Sequence, residues 1–301
     1  MPKNSPAVVH EKRPYMDGSA KSHVYRPAPE TSDTKRLLVV VSEGFMATPD
    51  EYLKLARALA GLKYTVIVPD CTRPAPNSTK SDAFRVREDV LRYAAEEAFD
   101  GINSCPGTNE QLEGVIFVGH SMSAAIQAEM IGNEPDVPVT GLVSVSGAGN
   151  GQLHRSSAWE YLRLRKNYSS ESLLAYVGVL GNIIRNPGSL PSRCDMPRHL
   201  KEMARLASME EGHNLEYYER VLDSGGFVLE LVGPRDTVVD PEATRRVTSP
   251  LIGHHNVITI HPNAGHFAPQ THPRHVAAVI DTAVSDRWRR IHEGPDCGLA
   301  S

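Results

Sequence analysis

Val115-Ile116-Phe117-Val118-Gly119-His120-Ser121-Met122-Ser123, running on into Ala124-Ala125-Ile126-Gln127-Ala128-Glu129-Met130-Ile131, is the stretch on which the fold turns. Four apolar residues make a buried strand, and the residues from Ala124 onward are strong helix formers. Between them lies a sharp turn with Ser121 at its apex. A strand that breaks into a helix at a serine is a nucleophile elbow, which lifts one Oγ above the end of a sheet. The turn brings strand and helix backbones close together, so its flanking residues must be small. Gly119 meets that need fully, and Ser123, where G-x-S-x-G ends in glycine, is still small. The competing reading of Ser121 is an ordinary helix N-cap.

Two further segments follow in a telling order. Phe227-Val228-Leu229-Glu230-Leu231-Val232 reads as a buried strand and ends in Gly233-Pro234-Arg235-Asp236, which puts an acid at the strand's C-terminal end. Asn256-Val257-Ile258-Thr259-Ile260 reads as another strand, followed by Asn263-Ala264-Gly265-His266-Phe267. A serine hydroxyl is a poor nucleophile near neutrality, so it needs a base within reach and a group to orient that base. Serine, acid and histidine thus follow one another in that order along the chain. Asp240, in the same loop as Asp236, is the rival acid, and His261, His272 and His275 compete with His266.

On these residues the chain resembles the α/β-hydrolase-fold superfamily, of the serine-hydrolase type with an inserted cap, over about residues 36–284. The resemblance implies an α/β fold with a mostly parallel central sheet, helices on both faces and a helical cap inserted after the strand near residue 145. It implies Ser121 as nucleophile, His266 as base, favoured because Gly265-His266-Phe267 matches the family's loop, and Asp236 as orienting acid. The oxyanion would be held by the backbone N–H groups of Phe45 and Met122. Many relatives carry His-Gly where this chain has Glu43-Gly44. A carboxylate beside an oxyanion loop either points away and shapes the loop or faces the substrate, so Glu43 is a possible pocket residue, as is His154 where the chain enters the cap. The implied reaction is hydrolysis of an ester or thioester of a small-to-medium organic molecule. Acyl transfer, or elimination and other lyase chemistry in a specialised biosynthetic pathway, uses the same scaffold. A non-catalytic ligand-binding receptor is disfavoured because all three triad positions are filled.

Composition sets further bounds. The chain has 301 residues, 40% of them hydrophobic, enough for one sheet domain with an inserted subdomain. A net charge of −4 and the lack of any Lys/Arg block argue against a nucleic-acid partner. No apolar leader follows Met1 and no run approaches membrane-spanning length, so the expectation is a cytoplasmic protein without membrane contact. Cys71, Cys105, Cys194 and Cys297 form no C-x-x-C pair, which reads as reduced thiols. The histidines at 254, 255, 261, 266, 272 and 275 lack a ligand spacing, so no metal is expected, and no cofactor. Gly147-Ala148-Gly149-Asn150-Gly151 lacks the G-x-G-x-x-G spacing and reads as an exit into the cap. The sequence leaves the oligomeric state open.

The organisation expected is an N-terminal arm or edge hairpin over 1–35, with Asp17-Gly18 as turn; a core of 36–149 and 225–292; a cap over 150–224; and a mobile tail at 293–301. Residues 37–41 make the first core strand. Thr48-Pro49-Asp50-Glu51 combines a cap, a first-turn proline and a capping-box glutamate, opening a helix with Tyr52, Leu55, Ala56 and Leu59 on one face. Strands at 65–68 and 142–145, a helix at 81–98 and a last helix from about 274 complete the core. Helical patterns near 159–164, 173–184 and 200–209 fill the cap interval.

Overall fold

The structure, a computed structural model, describes residues 8–15, 20–27, 34–44, 47–71, 83–104, 111–133, 135–151, 201–202, 204–206 and 208–293. The elements are β1 (Val8–Tyr15), β2 (Ala20–Pro27), β3 (Leu37–Ser42), a 3₁₀ turn (Pro49–Tyr52), α1 (Leu53–Gly61), β4 (Thr65–Pro69) and α2 (Ala83–Asn103). They continue with β5 (Gly114–His120), α3 (Met122–Gly132), β6 (Val139–Val145), α4 (Leu215–Asp223), β7 (Phe227–Val232), α5 (Pro241–Ile252), β8 (Val257–Thr259), α6 (Ala268–Thr271) and α7 (Pro273–Glu293). The eight strands form one sheet in the order β1-β2-β4-β3-β5-β6-β7-β8. From β4 to β8 all pairs are parallel, while β1 and β2 form an antiparallel hairpin that joins β4 antiparallel. This is the mostly parallel sheet with helices on both faces that the sequence predicts.

Parallel strands covered on both sides need apolar residues along most of their length, and β3 to β7 supply them, with Ser144 and Glu230 among the buried polar exceptions. Leu38, Val40, Val115, Phe117, Leu142 and Val228 point to one face, where they pack with buried residues of α2, α3 and α4. Leu37, Val39, Val41, Ile116, Val118, Val143, Leu229 and Leu231 point to the other, against α1 and α7. One departure concerns the interval expected to form a cap. Its end, α4, packs on α3, β6 and β7 and buries Tyr218 and Val221 in the sheet's core, so the core begins before residue 225. Residues 152–200, the body of that interval, lie outside the described residues, as do the turn at 17–18 and the tail from 294. Helix α5 is not among the elements that the sequence predicts.

Candidate active site

Parallel topology gathers the loops after β5, β7 and β8 at one end of the sheet, the usual location of ligand chemistry in open α/β sheets. At the elbow, Ser121 has φ 54° and ψ −121°, a conformation costing on the order of 1–3 kcal/mol that the surrounding hydrogen bonds hold in place. Its N–H donates to Val145 O (3.0 Å), and its carbonyl accepts from Ala124 N (3.1 Å) and Ala148 N (3.0 Å). A Cβ at Gly119 would lie 2.7 Å from Ala124 Cα and N, so only glycine lets β5 and α3 approach this closely. The Ser121 side chain makes no capping bond to the helix it precedes. Its Oγ lies 2.9 Å from His266 Nε2 instead.

His266 Nδ1 faces both oxygens of Asp236, at 3.1 and 3.0 Å. A ring nitrogen against a carboxylate must carry the proton, so in the neutral imidazole Nε2 is left as an acceptor for the serine hydroxyl. The carboxylate is itself oriented, with Oδ1 accepting from the N–H of Val238 (2.8 Å) and Val239 (3.0 Å). Burial opposes its charge, but the His266 imidazole and these hydrogen bonds outweigh that and hold the Asp236 pKa below the ordinary value. Arg235 N–H donates to Ala264 O at 3.0 Å, which fastens the acid's loop to the histidine's loop. Asp240 serves a different purpose: it is the N-cap of α5, accepting from Glu242 N (2.9 Å) and Ala243 N (3.2 Å). The structure thus brings together Ser121, Asp236 and His266, and leaves out Asp240. His261, His272 and His275 pack against one another in a separate cluster.

A family model described as "Alpha/beta hydrolase family" matches residues 38–279, most of the chain. The chain belongs to that family. It is therefore a hydrolase-family enzyme. Solved structures with the same fold include an N-acyl homoserine lactonase, AidH, complexed with N-butanoyl homoserine, at 15% identity and TM-score 0.57, covering 96% of this chain and 100% of that one. A putative aryl esterase from Burkholderia cenocepacia aligns at 15% identity and TM-score 0.57 over 94% of this chain and 100% of its own. A bromoperoxidase from Bacillus anthracis aligns at 15% identity and TM-score 0.54 over 93% and 100%. No curated protein matches the chain.

In this alpha/beta hydrolase Met122 opens α3, so its amide is one of the helix-start N–H groups without an intrahelical acceptor. Phe45 and His154 lie outside the described residues. The substrate-pocket role considered for Glu43 is not where the structure puts its carboxylate. The group is fully buried, Oε1 accepts from Cys71 N (3.0 Å), and Arg87 Nη1 approaches to 3.6 Å. Burial pushes its pKa up to about 7, against the pull of Arg87. The family's two motif departures here are linked, because Ser123 Oγ donates to the Glu43 carbonyl.

A second polar chain, which the motifs do not predict, runs behind the triad. Gly44 N–H donates to Tyr52 Oη (2.9 Å), Tyr52 Oη lies 2.6 Å from His120 Nδ1, and His120 Nε2 lies 2.7 Å from the carbonyl of His266. Burial, with the neighbouring His266, lowers the His120 pKa to about 3, so this ring is neutral. Nε2 faces a carbonyl and must donate; Nδ1 then accepts from the tyrosine O–H. The chain of donors ties the loop after β3, the elbow and the histidine loop into one frame. Its signal in the sequence is the histidine inside Gly119-His120-Ser121.

Proposed function

We propose that the protein is a serine hydrolase that cleaves an ester or thioester of a small-to-medium organic molecule through an acyl-enzyme. The observation that carries this reading is the 2.9 Å approach of His266 Nε2 to Ser121 Oγ, with Asp236 on the other ring nitrogen. Ser121 Oγ attacks the carbonyl carbon as His266 takes its proton, and Asp236 stabilises the imidazolium that forms. The carbonyl oxygen becomes an oxyanion facing the Met122 amide and that of residue 45. His266 then returns the proton to the leaving alcohol or thiol. Water, deprotonated by the same nitrogen, releases the acid and restores the serine. The lactonase and aryl esterase of the same fold, both named for the cleavage of esters, are consistent with this substrate class.

The test is labelling with a fluorophosphonate together with turnover of p-nitrophenyl esters. The native protein is expected to be labelled once per chain. Ser121→Ala should lose the label and about a thousandfold or more in turnover, with an unchanged melting temperature. Undiminished turnover in the alanine variant would end this reading.

A further inference from the structure

Beside the elbow lies a buried charge cluster that the triad does not use. Arg87, on the first turns of α2, is 1% exposed, and Glu43 and Glu202 are 0% exposed. Arg87 Nε donates to Glu202 Oε1 at 2.8 Å and Nη2 reaches Oε2 at 3.5 Å, so one carboxylate takes the fork of the guanidinium. The remaining nitrogen, Nη1, faces Glu43 Oε1 at 3.6 Å. Neither Nη1 nor Glu43 Oε2 has a hydrogen-bond partner among the described residues. Two carboxylates thus share one cation in a space closed to solvent. Such clusters are poor sources of stability, and their best-attested use is to fix one arrangement of the chain.

What this cluster fixes follows from the rest of Glu43. Its side chain is held by Arg87 and the Cys71 amide, its carbonyl by Ser123 Oγ from the elbow, and the next amide, Gly44 N–H, by Tyr52. A Cβ at Gly44 would stand 3.3 Å from Ser121 Cβ, so this backbone runs directly beside the nucleophile. Residue 45, the expected second oxyanion donor, is the next in the chain.

We infer that the Arg87–Glu43 pair is a positioning device for the oxyanion loop, setting the loop's backbone against Ser121 without touching substrate. The inference rests on the serine-hydrolase reading. Because the oxyanion develops only as the carbonyl is attacked and is absent from the bound substrate, a displaced donor lowers kcat and leaves KM nearly unchanged. The pair is complete only when Glu43 is ionised. The groups facing it are Arg87 from α2, Asp70 and Cys71 at the end of β4 and Tyr52 from the 3₁₀ turn, with Glu202 behind Arg87.

The experiment measures kcat and KM of p-nitrophenyl acetate hydrolysis from pH 5 to 9 for the native protein, Glu43→Gln and Arg87→Lys, with melting temperatures alongside. Glu43→Gln keeps the shape and loses the charge. It should lower kcat by about tenfold to a hundredfold, with KM within about twofold. The native rise of kcat with pH should be steeper than one ionisation, and that of Glu43→Gln should reduce to one. Arg87→Lys, which keeps the charge but loses the fork, should lose kcat in the same sense. A folded Glu43→Gln with native kcat and native pH profile overturns the inference, as does an effect confined to KM. Should Glu43→Gln fail to fold, Arg87→Lys takes its place: a loss of kcat at native KM supports the positioning role, and a native kcat or a change in KM alone overturns it. Ser121→Ala run in parallel separates the two failures: if it retains turnover the serine reading falls, whereas a dead Ser121→Ala with an unaffected Glu43→Gln removes only the positioning role.

Discussion

Asp236 and Asp240 are four positions apart, and by residue type nothing separates them. The folded chain divides their work: one carboxylate faces His266, the other closes the start of α5. Asp236→Asn should leave His266 without the partner that sets its tautomer and cost about ten-thousandfold in kcat at nearly native stability. Asp240→Ala should do the reverse, lowering stability by about 1 kcal/mol through the lost cap with kcat unchanged. Chemical denaturation and steady-state kinetics on the two variants check this pairing. Ser121 and His266 are legible in the sequence because their motifs are local. The charge cluster around Glu43 is not, since Glu43 meets Arg87 from another element and Arg87 in turn meets Glu202 115 positions further on, and no spacing rule joins the three.

At the scale of elements, the strands β3 to β7 can be read off because both-sided burial leaves continuous apolar runs. Helix α5 cannot. Its buried positions are Ala243, Thr244, Thr248, Ser249 and Ile252, most of them small or polar, and Pro250 lies inside it, so its sequence carries only a weak apolar stripe. The long 83–103 helix runs five residues past the expected end at 98, through the weak helix formers Phe99-Asp100-Gly101-Ile102-Asn103, because Ile102 is buried in the core and the Asn103 side chain bonds the backbone of Leu112. The junction of β5 and α3 is the element contact on which the candidate site depends. Gly119→Ala would drive a methyl into the Ala124 backbone and force the strand and helix apart. The expected loss is about 1–3 kcal/mol of stability together with a fall in turnover, because the elbow itself is displaced. Thermal unfolding and ester turnover measured on one preparation test both halves.

For the molecule as a whole, pH acts on stability through groups outside the triad. Glu230 lies on β7 fully buried, with Tyr218 Oη donating to it at 2.6 Å and Asn150 Nδ2 also donating. Burial raises its pKa to about 7 from the ordinary 4.5. The folded state therefore binds more protons than the unfolded one between about pH 4.5 and 7, and this group's contribution to stability falls as pH rises through that window. Glu230→Gln removes the titration. The melting temperature of the variant relative to the native protein should increase from pH 5 to pH 7 and level off above; a difference independent of pH would refute the assignment. Among the described residues no helix is long and apolar enough to cross a membrane. The sheet has its borders at β1 on one side and β8 on the other.

One of those borders has been moved. Without the N-terminal hairpin, β4 would end the parallel sheet with Val66, Ile67 and Val68 along an open row of amides and carbonyls. The hairpin takes up that row and offers β1 in its place, where Glu11, Lys12 and Arg13 stand in succession. Charged side chains on an outermost strand resist the docking of a neighbouring molecule's strand. The β1–β2 hairpin, no residue of which belongs to the triad, thus replaces an apolar sheet border with a charged one.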